Sequence, residues 1–159
     1  MPMKIRECMK RKVISIGAGE SLGQAARLLV EHHIGTLPVV DEQNRLVGLL
    51  HLRNLLALVT PDFVRLVGDF NFVHDFGAVE DRLPSLEQIN MPVAKLMQTP
   101  IFVDEDSGLL RAFSVLDRHA LSDLPILDKE GKLIGIASRV DIGVALLKGW
   151  LHSGGGAGA

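Results

Sequence analysis

Apolar positions change period several times along the chain, and the changes come twice in the same order. The run "VISI" (Val13–Ile16), ended by "GAGE", predicts a short strand and a turn. From Leu22 the apolar residues Leu22, Ala25, Ala26, Leu28, Leu29 and Val30 gather on one helical face, with Ser21 and Gln24 at the S-x-x-Q spacing of a capping box. Gly35, which tolerates the left-handed conformation, is the expected helix stop. "LPVV" and "RLVGLL" then predict a hairpin around the turn "DEQN", with a further helix through Leu55–Val59. A second pass follows: "IFV" (Ile101–Val103), a helix near Leu109–His119, "LPIL", the turn "DKEG", "KLIGIA", and a helix from about Arg139 to Leu151.

The two passes are a duplication. Leu37/Leu124, Pro38/Pro125, Asp41/Asp128, Leu46/Leu133 and Gly48/Gly135 are identical at a constant offset of 87 residues. Leu22/Leu109, Ala25/Ala112, Leu29/Leu116 and His32/His119 extend the offset backwards, and before about Ile14 the pairing needs a one-residue gap. Each unit reads β-α-β-β-α and leaves apolar surface that a second copy can bury, so the simplest arrangement is an α/β (α+β) pseudo-twofold module. The expected divisions are residues 1–60, a non-repeating helical insertion at 61–92, the second unit at 93–152 and a flexible glycine-rich tail at 153–159. The insertion holds Phe63, Phe70, Phe72 and Phe76, which either pack on the module or form a patch for a partner.

Composition narrows the function classes. A hydrophobic content of 47% supports a packed interior, and a formal charge of -2 disfavours nucleic acid as a partner. No apolar run has the roughly 20 residues of a bilayer span, the Met1 region has no apolar signal core, and Cys8 is a lone cysteine. These features lead to the expectation of a soluble, cytoplasmic protein.

Two copies of strand, helix, "h-P-h-h-D" (h apolar), turn and "h-h-G-h-h", the second followed by "S/T-x-x-D", resemble tandem cystathionine-β-synthase (CBS) domains, the pair called a Bateman module. The likeness covers roughly Ile5–Leu58 and Val93–Leu151. It implies a regulatory module and no enzyme, commonly dimeric through its helices. It also implies an adenosine-containing ligand, AMP, ADP, ATP or S-adenosylmethionine, in clefts between the repeats, with no obligatory cofactor and an unidentified protein target.

The repeats differ just after the shared glycine, where "SRVD" (Ser138–Asp141) stands against "HLRN" (His51–Asn54). A hydroxyl and an acid at this spacing suit a helix start. They also suit a ribose phosphate, since a carboxylate accepts from both ribose hydroxyls and helix amides receive an anion. The resemblance implies a first cleft in which Ser138, Asp141 and the mobile cation Arg139 meet Arg11, Lys12, Ile14, Ile34 and Gly35. There Ile14, Ile34 and Ile136 would sandwich adenine, and Arg11 or Lys12 would reach phosphate. It implies a second cleft of His51, Asn54, Thr99, Ile101, Leu121 and Ser122, degraded because Asn54 lacks the carboxylate and His51 replaces the small hydroxyl. The competing reading is a ligand-free dimerisation or protein-interaction scaffold. The six histidines show no zinc-ligand spacing. "GAGESLG" misses the dinucleotide spacing by one residue, and no serine or cysteine lies in a nucleophile elbow.

Overall fold

The computed structural model describes residues 3–68 and 73–157, with side chains described as far as His152. Phe70 and Phe72 lie outside the described residues. The first repeat runs β1 (Ile16–Gly17), α1 (Leu22–His32), β2 (Thr36–Val40), β3 (Leu46–His51) and α2 (Leu52–Leu56). The insertion forms α3 (Asp62–Leu66), a 3-10 turn at Gly77–Asp81 and α4 (Leu86–Ile89). The second repeat runs β4 (Val103–Asp104), α5 (Leu109–Arg118), β5 (Asp123–Leu127), β6 (Leu133–Ser138) and α6 (Arg139–Ala157). Each repeat makes its own three-stranded sheet, a parallel outer strand beside an antiparallel hairpin.

The residues shared at the constant offset are explained by the hairpins. Asp41 Oδ1 accepts from the N–H groups of Gln43 and Arg45, each at 2.9 Å, and Asp128 Oδ1 does the same for Glu130 and Lys132. These bonds fold the turn, which needs a left-handed residue, Asn44 (φ 62°) in one repeat and Gly131 (φ 83°) in the other. Pro38 pairs with Leu49, whose N–H and C=O turn away to Gln98, so the missing proline donor costs no ladder bond. Pro125 and Ile136 repeat the arrangement, with Ile136 bonded to Lys10.

Those last bonds show how the repeats are joined. Each repeat's lead-in segment crosses to the other repeat. Ile5 and Met9 enter the core of the second, while Val93 and Met97 pack into that of the first. Lys10 exchanges backbone bonds with Ile136 at 2.8 and 2.9 Å, and Gln98 does so with Leu49 at 2.8 and 3.0 Å. The motif glycines lie beneath these crossings, since a Cβ on Gly48 would strike Met97 and one on Gly135 would strike Met9. The hairpin tips also join, with Asn44 Nδ2 donating to Leu133 O at 3.0 Å.

Several boundaries depart from the sequence expectation. The strand expected over Val13–Ile16 is confined to Ile16–Gly17, where the chain pairs with Val39 and Val40. Helix α1 closes on His33 (φ 52°), not on Gly35, with Ile34 N–H reaching back to Leu29 O at 3.2 Å. The strand expected at Ile101–Val103 starts at Val103, α2 begins at Leu52, ahead of the expected Leu55, and α6 continues past Leu151 into the expected tail. In the insertion Phe63 and Phe76 pack edge to face at 6.1 Å, and Phe63 remains half exposed.

Candidate functional site

The antiparallel register delivers Ser138 at the end of β6, and α6 begins at the next residue. Helix amides there lack intrahelical partners, and the chain supplies two reciprocal ones. Asp141 N–H donates to Ser138 Oγ at 3.0 Å, and Ser138 N–H donates to Asp141 Oδ2 at 2.9 Å. "SRVD" is therefore a capping box in this fold. The crossing lead-in adds a third member, Lys10, whose Nζ lies 3.4 Å from Asp141 Oδ2. Burial acts to raise the Asp141 pKa, but Ser138 and the Lys10 ammonium outweigh it, so the carboxyl titrates below its usual range and is ionised at neutral pH. Burial, with Asp141 and Glu7 nearby, pushes the adjacent Cys8 thiol up and keeps it protonated.

The equivalent corner of the first repeat has the same frame without the charges. His51 N–H donates to Asn54 Oδ1 at 2.8 Å, and the position equivalent to Lys10 is Gln98. His51 is only 6% exposed, with Nδ1 3.4 Å from Thr36 Oγ1. Burial and then the Arg53 cation lower its pKa, against a smaller upward pull from Asp123 of the other repeat, so the imidazole is neutral at pH 7.

The structure thus brings Ser138, Asp141 and Ile136 together with the lead-in segment, and the residue that makes the contact is Lys10, which the sequence reading did not name. Arg11 and Lys12 follow it and are exposed, and among the described residues neither forms an ion pair. Ile14 and Ile34 pack on the first repeat's core, and Gly35 O accepts from Leu52 N–H at 2.9 Å, holding that loop to its own repeat's helix. Ser122 O does the same for Arg139 N–H at 2.9 Å. Leu121 is buried in the second repeat's core with Ile101 against it, and Thr99 is exposed beside the Gln98 crossing. Arg139 is held by the second repeat. Its guanidinium bonds Asp117 at 3.1 Å and Leu121 O at 3.0 Å and lies 5.6 Å from the Phe113 ring centroid. That fastens the end of α5 to the start of α6. Among the described residues no group of three or more histidine, cysteine, aspartate or glutamate side chains is gathered for a metal, and no helix is long and apolar enough to cross a membrane.

A family model for the CBS domain matches residues 5–60 and 93–148. A CBS domain-containing protein of Dictyostelium discoideum is 28% identical over 148 residues, covering 93% of this chain and 94% of its own. The CBS-pair protein CBSX2 of Arabidopsis thaliana superposes with a TM-score of 0.72 at 26% identity, over 93% of this chain and 96% of its own. A structure of CBSX2 in complex with AMP superposes with a TM-score of 0.68 at 28% identity, over 91% and 96%.

Proposed function

The chain belongs to the CBS domain family, and on that premise we propose that it is a regulatory module holding one adenosine-containing ligand per chain against Lys10, Ser138 and Asp141. The observation that carries this reading is the charge difference between the two corners: an ionised aspartate beside an ammonium in one, asparagine and glutamine in the other. The ribose diol would donate to Asp141, and the positive end of α6 would face phosphate. Lys10, 64% exposed at its side chain, is free to turn from Asp141 to a phosphate oxygen when the diol takes its place. Ligand occupancy would then alter the seam where the lead-in crosses β6, and the two repeats would pass the change to a partner as a dimer. The ligands that fit are AMP, ADP, ATP and S-adenosylmethionine, since all share the adenosine group; CBSX2 in complex with AMP supports the class.

One observation favours a ligand-free scaffold instead: Asp141 Oδ2 already accepts from Ser138 and pairs with Lys10. Thermal melting in the presence of each of the four ligands separates the readings. Saturation at about 100 times the dissociation constant adds roughly 2.7 kcal/mol, a rise of about 5–10 °C for a chain of this length. The sensor reading expects that rise with at least one of the four, and a flat response to all of them supports the scaffold.

A further inference from the structure

Helix α1 and the insertion's α4 enclose a recess. It holds about 520 Å³, within the range of small-molecule sites, and its apolar wall comes from Leu22, Leu55, Leu58 and Ile89. Gly23 makes the enclosure possible, because a Cβ there would meet Ile89 Cγ2 at 2.8 Å and hold α4 off α1. The frame shared by the repeats does not call for this recess. At the offset of 87 residues Gly23 becomes Leu110, which is 68% exposed, and Pro84, Gln88, Ile89 and Asn90, which close the recess, belong to the insertion and have no counterpart.

Its polar groups are side chains. The amides that open α1 are taken, Leu22 N–H by Met91 O at 2.9 Å and Gln24 N–H by Ser21 Oγ at 3.1 Å. On α4 the Ser85 capping box is closed in both directions, and Gln88 Oε1 accepts from Ser85 N–H at 2.8 Å, which leaves the Gln88 Nε2 hydrogens for another acceptor. The box expected at Ser21 is only half made. Gln24 lines the recess instead of reaching back, and among the described residues its side-chain amide has no hydrogen-bond partner. Arg27 also lines the recess, is exposed, and among the described residues forms no ion pair. No aspartate or glutamate is among the described lining residues.

We propose that the recess between α1 and α4 binds a small apolar carboxylate. The Arg27 fork matches the two carboxylate oxygens, and the amides of Gln24 and Gln88 supply further donors. The hydrocarbon body lies against the leucine and isoleucine wall. A free amino acid fits poorly, since no acid is present to pair with its ammonium. The site shares no residue with the charged corner at Asp141 and does not depend on it. It lies where the second repeat's lead-in leaves the insertion, with Val93 N–H bonded to Glu20 O at 2.7 Å, so a bound acid bridges the insertion and the first repeat at the start of the segment that crosses to Leu49.

Calorimetric titration of the full chain with octanoate and with 4-methyl-2-oxopentanoate tests this, with octanol and octylamine as uncharged and cationic controls. One saturable site per chain is expected for at least one of the two acids and for neither control. Arg27→Gln is expected to weaken it at least about tenfold, because a charge-assisted pair is lost. Ala26→Phe, which introduces at a lining position the ring that the second repeat carries there, is expected to abolish it, and both variants keep the wild-type circular dichroism. AMP should bind the acid-saturated chain as it binds the free one, and Lys10→Gln/Asp141→Asn should keep the acid while losing AMP. Silence with both acids, octanol binding as tightly as octanoate, full affinity in Arg27→Gln, or displacement of the acid by AMP would overturn the proposal. Acid binding with no AMP binding would remove the nucleotide reading of the charged corner and leave this one standing.

Discussion

Replacing Asp141 by asparagine separates two roles that alanine would remove together. Alanine takes away the acceptor for Ser138 N–H, the negative charge in the first turn of α6 and the partner of Lys10. The cap is worth about 1 kcal/mol and the helix-end charge about 0.3–1 kcal/mol. The pair adds at most a few tenths of a kcal/mol, because the ammonium is so exposed. The expected loss is about 1.5–2 kcal/mol, or roughly 3–8 °C in melting temperature. Asparagine keeps the acceptor, as Asn54 does for His51 at 2.8 Å, so its loss stays below about 1 kcal/mol. Because the Asp141 carboxyl titrates low in the folded protein, its share of stability is present above pH ~4 and is lost as pH falls through the folded value. Urea unfolding at neutral pH and at about pH 3 should therefore show the gap between wild type and Asp141→Asn closing on acidification. Asparagine as damaging as alanine, or a gap that widens in acid, would refute the assignment of Asp141 as an ionised cap.

The crossing predicts a second outcome. A Cβ on Gly135 has the backbone carbonyl of Lys10, at 3.2 Å, among its three nearest contacts beside Met9, whereas the three nearest to a Cβ on Gly48 are all side-chain atoms of Met97. Urea unfolding should show Gly135→Ala losing about 1–3 kcal/mol and more than Gly48→Ala; equal losses would argue against the rigid crossing. His51 supplies a third. Its pKa is lowered on folding, so it contributes stability above pH ~6.5 that is lost as pH falls toward the folded value. His51→Ser should flatten that limb of the stability profile, and an unchanged slope would place the titration elsewhere.

How far the fold was legible depends on whether a residue acts locally or across the repeats. Asp41, Asp128, Pro38 and Pro125 act within their hairpins, where offset and turn chemistry point to them. Gly48 and Gly135 were visible as a pair, but their reason was not, since each lies under a segment of the other repeat. Lys10 was missed for the same cause. The lead-ins pair at an offset of 88 residues, as the bridges Lys10 to Ile136 and Gln98 to Leu49 show, and the one-residue gap obscured the match. Pairing Lys10 with Gln98 would have revealed a charge lost together with that of Asp141 at Asn54. Arg139 adjoins Ser138 in sequence and so suggests a ligand cation, yet Phe113 and Asp117, more than 20 residues away, hold it. The left-handed turn at His33 was hidden because Gly35 is the better local candidate.

Calorimetric titration with AMP distinguishes a frame in which one corner binds a nucleotide from one in which both do. The charged corner should give one site per wild-type chain, at least tenfold weaker in Lys10→Gln/Asp141→Asn. Asn54→Asp/Gln98→Lys should add a second site at the other corner, because charge-assisted bonds exceed neutral ones by about 1 kcal/mol or more each. Two equal sites in the wild type, or a full-strength site surviving Lys10→Gln/Asp141→Asn, would contradict binding at the charged corner alone.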